Sequence, residues 1–476
     1  MSIVENIEEV RLDEKAKVEY KRYGVHTIED RAIFGEIDGL KPVARRLVWA
    51  AHKMGLKHNT PFTKAMKVIG ETMGNYHPHG DAAINGALVT AVNQAEPLFE
   101  GSGNWGTMTE NAAAPRYIEC RLSKYADKIF LDPFYIPVNY MVDNYDASTK
   151  EPLILTSLMP NTLLNGNFGI APGVRTQTPT YTMVSLTKVL VKSLVAGECN
   201  PKMCLPLKFT TELGGVLHTE DKEVRKELLR FYKTGKGKFV FDSSYTEHGN
   251  TIRIDKFAPV SNIAGILTKI SNIAGVVNVR DDSSIKDRYN AYQVEFKKGL
   301  KGKELESTIA KVMDAFSSGV SFNIQVVERE PDGKGGSRKA LRPATVPSVI
   351  NTWIDYRVEL EKKACSYWIE KRKVEIAYLQ LLRLAVKNRR FIIKALDKKL
   401  DDEQLAKYIA KGLKITVDQA NQILDLKIRQ LKALEDKVLV GKIKKLNDEV
   451  KSYKVRIKKP KKFIAKQLIE LCKELK

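Results

Sequence analysis

The chain has 476 residues, 43% of them hydrophobic, and its 79 Lys and Arg against 57 Asp and Glu give a formal net charge of +22 at pH 7. This composition excludes a largely disordered chain, and the length exceeds what one hydrophobic core serves, so we expect two to four domains. No run approaches the roughly 20 apolar residues that cross a bilayer. The N-terminus is too acidic for a signal peptide, and five scattered cysteines suit reduced thiols. The sequence therefore predicts a soluble, cytoplasmic protein.

The basic excess is concentrated near the C-terminus. Residues 351–476 hold 33 basic and 17 acidic side chains, a net charge of +16. Such an excess favours a polyanionic partner, with nucleic acid ahead of an anionic membrane. A solvated, lysine-rich helical face explains the same numbers, and composition does not separate the two.

Up to about residue 150 the sequence predicts helices separated by turns. Pro42 suits the first turn of a helix. A second helix is predicted from Lys64 to Gly74, and a third follows the turn NYHPHG, with Asp81 as its cap and Val92 near its end. Two helices joined by a tight turn, with cations on both sides, are typical of a helix-turn-helix DNA reader.

From about 151 to 340 short β-rich runs alternate with glycine-containing turns. Strands are predicted at 237–242 and 250–255, and helices at 221–233 and 303–316. The segment 331–343 combines turn formers with basic residues and is predicted to be a loop or linker.

The last region, from about residue 345, is predicted to be helical. Apolar residues keep one helical phase from Ile354 to Val386, which indicates one long helix with a partner seam. Further helix-forming runs cover 419–435 and 436–457. Two long antiparallel arms joined by a small helical knob fit this pattern, and so does an ordinary helical bundle.

Several kinds of site are missing from the sequence. There is no GxxxxGK[ST] nucleotide loop and no Asp-x-Asp pair for Mg²⁺. Cys199 and Cys204 lack the CxxC spacing of structural zinc sites. If the chain takes part in phosphoryl chemistry, another chain must bring the metal and the ATP site.

Candidate functional residues concentrate between residues 31 and 121. Arg31, Lys41, Arg45 and Arg46 place four cations within sixteen positions, which is a phosphate clamp if they line a groove and a solvated helix start if they do not. His77 and His79 could bind a metal, but no third ligand is near.

Tyr117 follows Arg116 downstream of this cluster. A phenol is a weak nucleophile at pH 7 because its pKa is about 10. A neighbouring guanidinium, together with a divalent ion, would favour the phenolate. Most tyrosines beside an arginine serve packing instead.

Seven segments carry a resemblance that extends from residue 31 to residue 435. They are RAIFGEIDGLKPVARR (31–46), YHPHGD (76–81), GSGNWG (101–106), AAPRYIE (113–119), PNTLLNGNFGIA (160–171), YKTGKGK (232–238) and QANQILDLKIRQLKALE (419–435). In this order they resemble the breakage-reunion subunit of type IIA DNA topoisomerases, the DNA gyrase A and topoisomerase IV A family. Phe34 stands at the family's proline, Trp105 at its phenylalanine and Ala44 at a histidine, so that one donor is missing.

The resemblance implies a role for each matching residue. Tyr117 would attack a DNA phosphodiester and form a 5′-phosphotyrosine, and Arg116 would steady the scissile phosphate. Ile170 would insert between base steps and bend the DNA. The DNA backbone would be held by Arg31, Lys41, Arg45, Arg46, His77 and His79.

The resemblance also implies a multidomain α+β fold. It consists of an N-terminal arm with a winged-helix (CAP-like) catalytic domain (1–150), a tower domain (151–340), and a coiled-coil arm with a C-terminal dimer gate and a basic tail (341–476). The implied assembly is A₂B₂ on double-stranded DNA. The partner subunit would carry the GHKL-type ATPase and the TOPRIM carboxylates, and hence both ATP and Mg²⁺.

The absence of a β-pinwheel wrapping domain after the coiled coil predicts a short, phage-like or topoisomerase-IV-like subunit that relaxes and decatenates DNA. Two alternatives stay open. One is a non-catalytic DNA-binding scaffold, and the other is a gyrase-type subunit whose wrapping domain lies on another chain.

Overall fold

The computed structural model describes residues 11–210, 215–257, 262–284, 290–331, 337–425 and 436–475. The chain forms two compact units. The first comprises Met1–Arg357 together with Ile464–Lys476, and the second comprises Val358–Phe463. Helices and small antiparallel sheets are mixed along the chain, which agrees with a multidomain α+β fold. The finer identities of the three predicted domains stay predictions.

Three helices and a three-stranded antiparallel sheet form the N-terminal part of the first unit. The helices are Pro42–Lys53, Ala65–Asn75 and Asp81–Asn93, close to their predicted positions, and Pro42 occupies the first helical position as expected. Gly80, not Asp81, is the N-cap of the third helix. Leu47, Val48, Ile69, Ile84 and Leu88 are fully buried between these helices, so their apolar faces form the core. The strands, in spatial order, are Thr63–Lys64, Glu119–Leu122 and Phe99–Ser102.

Two four-stranded antiparallel sheets follow. One has the spatial order Asn167–Ala171, Val174–Thr178, Ser318–Asn323, Lys236–Phe241. The other has the order Val276–Asp281, Tyr292–Phe296, Thr251–Lys256, Ser244–His248. Strands and helices predicted in this region are confirmed, the helices being Lys222–Thr234 and Lys303–Phe316. The second sheet packs its apolar face on the latter helix, because Ile254, Val294 and Phe316 share one buried cluster.

The remaining elements of the first unit are short, except for two helices. The helical ones are Leu12–Thr27, a π-helical turn Ile28–Ala32, Lys124–Ile129, Ile136–Val138, Asn161–Leu164, Met183–Ala196, Pro201–Cys204 and Ile263–Ser271. Two hairpins complete the set, Met141–Asp143 with Lys150–Pro152 and Gln325–Pro331 with Ser337–Pro343.

The prediction of a linker over 331–343 is wrong for its second half. Ser337–Pro343 is a strand, paired in register with Gln325–Pro331 from Gln325 opposite Pro343 to Pro331 opposite Ser337. Residues 332–336 lie outside the described residues. The basic side chains of this strand bind acids far away in the sequence, Lys339 to Asp30 and Arg342 to Glu36. A linker would leave those charges in solvent.

Helices make up the C-terminal region. The long helix Val346–Lys387 and the helix Asp436–Lys458 are confirmed near their predicted bounds. Of the predicted helix over 419–435, residues 419–425 lie in the described part of the chain, where the helix Val417–Leu424 covers them up to Leu424. The others are Arg389–Leu396, Asp402–Leu413 and Pro460–Glu474. In the described ranges no helix is both long and apolar enough to span a membrane.

A buried ion pair organises the loop that precedes the helix Pro42–Lys53. Asp38 is fully buried and Arg45 is 5% exposed, and Nε of Arg45 donates to Oδ2 of Asp38 at 2.6 Å. A second guanidinium nitrogen donates to Oδ1 at 2.9 Å. The backbone N–H groups of Leu40 and Leu155 also donate to this carboxylate, both at 3.1 Å. The ion pair therefore joins the loop, the helix and a distant segment.

Asp38→Asn is expected to destabilise the protein by about 3–5 kcal/mol, because it leaves the guanidinium of Arg45 buried without a counter-charge. Denaturant-induced unfolding of the first unit measures the loss. Lys226→Gln breaks an exposed pair with Glu223 in the same unit and serves as the control, with an expected loss of about 0–1 kcal/mol. Equal losses in the two variants would contradict a structural role for the Asp38–Arg45 pair.

Candidate functional site

A large open groove of about 2720 Å³ crosses the first unit. Its walls come from the N-terminal helices, the loop 101–108, the hairpin at 165–180 and the sheet at 319–322. Five of the predicted site residues line it, and two further cations, Arg175 and Lys269, do so as well. The five are Arg31, Lys41, Arg46, His77 and His79. The groove therefore collects basic groups from segments that are distant in the sequence.

Lys41 lies at the start of the helix Pro42–Lys53, of which it is the N-cap residue. Its Nζ donates to the backbone oxygen of Phe168 at 2.8 Å. Burial lowers the pKa of this amine. Arg31 is exposed at the end of the π-helical turn. These two cations thus differ, since Lys41 is tied to the opposite wall while the Arg31 side chain is open to the groove.

Arg46 contacts both the carboxylate of Glu151 and the ring of His77. Two guanidinium nitrogens of Arg46 donate to the two carboxylate oxygens of Glu151, both at 2.7 Å. The third nitrogen lies 2.9 Å from Nδ1 of His77. Because a guanidinium can only donate, Nδ1 accepts, and a neutral His77 carries its proton on Nε2. The charge of Arg46 is thereby balanced by Glu151, and its role in the groove is to orient His77.

His77 is held in its neutral form. Burial, the charge of Arg46, and the nearby His79 and Arg31 lower its pKa to about 4. The ring of the exposed His79 stacks on His77, with centroids 4.3 Å apart and planes 12° apart. A neutral imidazole with Nε2–H presents a hydrogen-bond donor and no net charge. In the residues that the structure describes, no group of three or more His, Cys, Asp or Glu side chains is arranged to hold a metal ion.

Arg45 is placed differently from the sequence prediction. The side chain is buried in the ion pair with Asp38 and is not among the residues that line the groove. A guanidinium committed to a buried carboxylate does not reach a phosphate in solvent. Arg45 therefore positions the loop and the helix from which its neighbours Lys41 and Arg46 extend.

Tyr117 and Arg116 form an exposed pair. The phenol side chain is 66% exposed, and the guanidinium carbon of Arg116 lies 4.6 Å from the centre of its ring. The turn that carries them is anchored by the buried Ile118, whose backbone oxygen accepts from Ala65 N at 3.0 Å. Neither Arg116 nor Tyr117 lines the groove. The exposed phenol thus lies on a rigidly attached turn, just before the strand Glu119–Leu122.

Ile170 lies on a hairpin whose backbone is pressed against the N-terminal segment. The side chain of Ile170 is 63% exposed. A Cβ added to the neighbouring Gly169 would lie 2.1 Å from the backbone oxygen of Ala32, which only glycine permits. The hairpin therefore sits directly on the end of the π-helical turn that carries Arg31.

Phe168 was missed by sequence reasoning. It is 52% exposed, lines the groove, and precedes Ile170 by two residues on the same face of the strand. The guanidinium carbon of Arg175, on the paired strand, lies 5.7 Å from the centre of its ring. The alternation of Phe168 and Ile170 around a buried glycine was the available signal, since a strand that is apolar on its solvent face is unusual.

The family model that describes the A subunit of DNA gyrase and topoisomerase IV matches residues 31–471. The chain belongs to this family. It is 28% identical over 432 residues to the A subunit of DNA gyrase from Thermotoga maritima, an alignment that covers 87% of this chain and 52% of that protein. It is also 28% identical over 455 residues to the A subunit of DNA topoisomerase 4 from Salmonella typhimurium, with coverages of 93% and 58%. The chain thus spans a little over half the length of these relatives.

Membership of the gyrase A and topoisomerase IV A family agrees with the resemblance carried by the seven segments. The match begins at Arg31, the first residue of the cationic cluster, and runs past the long C-terminal helices. The roles of individual residues stay predictions.

Arg46→Gln is expected to raise the pKa of His77 from about 4, while burial still keeps it below 6.5. A titration of the protein with isotope-labelled histidine, followed by NMR, measures this pKa, and His77→Gln assigns the resonance. Arg22→Gln removes an exposed guanidinium paired with Glu19 and should leave His77 unchanged.

The sign of the linked pH effect follows from the same shift. Because folding lowers the pKa of His77, the unfolded chain binds the proton first, and lowering the pH from about 6.5 to about 4 reduces stability. An NMR pKa near 6.5 in the unmodified protein would contradict the assigned hydrogen bond.

Proposed function

We propose that this chain is the DNA-cleaving and religating subunit of an ATP-dependent type II topoisomerase. The observation that carries the proposal is the exposed Tyr117 beside Arg116, in a chain of the gyrase A and topoisomerase IV A family. The passage of a second duplex through the transient break would relax and decatenate DNA. A scaffold without catalysis would need neither an exposed phenol nor an adjoining cation.

The proposed cleavage step is a transesterification. Oη of Tyr117 attacks the phosphorus, the phosphorus–O3′ bond breaks, and the phenolic proton is lost while the departing 3′ oxygen gains one. The products are a 5′-phosphotyrosine and a 3′-hydroxyl, and the reverse reaction reseals the strand without a further energy source. Arg116 would stabilise the phenolate and the charge that develops on the phosphoryl oxygens.

The groove would hold part of the DNA segment that is cut, and the segment would extend beyond the groove to Tyr117, which does not line it. Arg31 and His79 are exposed in it, and the Nε2–H of His77 offers a neutral donor to a phosphate oxygen. Lys41 would add charge where the hairpin meets the helix. Arg46 would act through His77, and Arg45 would support the loop without touching DNA.

The active assembly would be A₂B₂. We expect a homodimer that closes through the C-terminal helical region and a partner subunit that carries ATPase and TOPRIM functions. Bound Mg²⁺ would neutralise charge on the scissile phosphate, and ATP would drive strand passage. Both would be held by the partner subunit.

Tyr117→Phe is expected to abolish covalent capture of DNA and leave DNA binding nearly unchanged, because only the nucleophilic oxygen is removed. The measurement is the fraction of DNA bound covalently after denaturation of the assembly with its partner subunit. Tyr140 is 40% exposed and gives a matched control, since Tyr140→Phe should retain normal capture. Covalent capture of DNA by Tyr117→Phe would contradict the catalytic role of Tyr117 and favour a non-catalytic DNA-binding scaffold.

The hairpin would bend the bound segment. Phe168 and Ile170 present two apolar side chains from one strand face, with the cations Lys41 and Arg175 beside Phe168. Residues two apart on a strand lie about 6.7 Å from each other, close to two base-pair steps of about 3.4 Å. Ile170 would enter one step, and Phe168 would brace a neighbouring base or sugar.

Ile170→Ala is expected to reduce DNA bending and cleavage more than binding, because unstacking of a base step is repaid only in the bent complex. Phe168→Ala should have the same kind of effect, and the double variant should exceed either single one. Energy transfer between dyes on the ends of a short duplex measures the bend. Val195, which is 82% exposed and outside the groove, supplies the control Val195→Ala. A bend angle unchanged in the double variant would refute the wedge.

A further inference from the structure

Four exposed lysines near the end of the second unit form what we call the lysine stripe: Lys454, Lys458, Lys459 and Lys462. Lys454 and Lys458 lie one turn apart on the helix Asp436–Lys458, and Lys462 follows four residues later on the helix Pro460–Glu474. Two hydrogen bonds span the bend between these helices: Lys459 N donates to Val455 O at 3.0 Å, and Phe463 N donates to Lys459 O at 3.4 Å. The stripe is thus a single surface.

Contacts on the buried side of the helix Asp436–Lys458 determine that the lysine stripe faces solvent. Leu446 and Val450 are buried. Arg456, only 15% exposed, donates from Nε to Oε1 of the fully buried Glu361 at 2.5 Å. Its guanidinium carbon also lies 3.8 Å from the centre of the Phe463 ring. Arg456 therefore has a structural role and is not part of the lysine stripe. Its contacts, together with the buried apolar residues, fix which side of the helix faces solvent.

The stripe lies in a segment that contains no acidic residue, and its four lysines have no acidic partner in the part of the chain that the structure describes. Four exposed lysines of that unit pair with acids, namely Lys363 with Glu359, Lys373 with Glu370, Lys387 with Asp436 and Lys407 with Glu403, whereas others such as Lys442, Lys444 and Lys445 do not pair with any described acid. Within the described residues none of the four stripe lysines forms an ion pair, and there is no acid between Glu449 and Glu470.

This arrangement costs the isolated protein stability. Like charges four residues apart on a helix repel by about 0.2–0.5 kcal/mol per pair. Acids interspersed in the same segment would reduce the repulsion. A polyanion that binds the stripe offsets the same repulsion from outside.

The spacing of the stripe fits a DNA backbone. At about 1.5 Å per residue, Lys454 and Lys462 are roughly 12 Å apart along the helix. A DNA strand carries one phosphate per about 3.4 Å of duplex axis, so the stripe spans about four successive phosphates. Flexible lysine side chains suit such contacts because an ammonium needs no fixed geometry.

We propose that the lysine stripe is a second DNA-binding surface, which holds the phosphate backbone of a duplex in the second compact unit while the groove holds another in the first. The inference rests on the proposed function, because strand passage requires two duplexes. The stripe reads no bases, since it offers only ammonium groups. It contributes affinity and salt dependence without sequence preference.

The test changes all four stripe lysines to glutamine in the full chain and measures binding of a linear duplex as a function of salt concentration. Each lost phosphate contact lowers the slope of log K against log salt by about 0.9, so the slope should flatten by up to about 3.6. A control variant changes Lys363, Lys373, Lys387 and Lys407 to glutamine. It removes the same charge from the same unit but should leave the slope nearly unchanged.

Three outcomes overturn the inference. The slope stays unchanged in the stripe variant, or it flattens equally in both variants, or the stripe variant loses the partner subunit while DNA binding keeps its slope, which would assign the stripe to a protein contact. Thermal unfolding confirms that both variants are folded. Covalent capture of a short duplex at low salt should stay normal in the stripe variant. This measurement therefore separates the proposal for the lysine stripe from the proposal that Tyr117 cleaves DNA.

Discussion

The geometry of the cationic groove follows from the burial of the Asp38 carboxylate. A fully buried carboxylate is costly unless hydrogen bonds and a counter-charge surround it, and here it receives both guanidinium contacts from Arg45 and two backbone N–H groups. These contacts hold the chain from Gly35 to Lys41 in one conformation, including Gly39 at a φ of +62°. Lys41 and Arg46 then extend from a fixed base. The buried ion pair thus determines where Lys41 and Arg46 lie in the groove.

The cationic cluster shows how far sequence reasoning reaches. The helix from Pro42 and the long C-terminal helices follow from capping and periodicity, both of which are local. Whether an arginine of this cluster is buried or lines the groove depends on the acidic residue with which it pairs, and that residue is not its neighbour in the sequence. Arg45 has its partner seven residues away, whereas Arg46 has its partner at Glu151, 105 residues away. Four cations that are equivalent in the sequence therefore have different roles in the structure.

The error at 331–343 has a related cause. Glycine and proline predict a break in regular structure, and that prediction extends too far, over basic residues that pair as a strand. The strand Ser337–Pro343 is stabilised by ion pairs to Asp30 and Glu36, about 300 residues earlier, which no local pattern contains. Phe168 is the opposite case, because its position on the exposed strand face could have been inferred from the alternation around Gly169.

The close approach of Gly169 to Ala32 has a mechanical consequence. With no side chain between them, the hairpin and the N-terminal segment are in backbone contact, and the cluster of Ala32, Ile33, Ala171 and Val327 surrounds that contact. Packed interiors are stiff and transmit displacement without absorbing it. A force that pushes the tips of Phe168 and Ile170 inwards is therefore passed to the turn that carries Arg31. In the proposed DNA complex the wedge and Arg31 would move together, so that a duplex bent by the wedge would be held by the cation in the same motion.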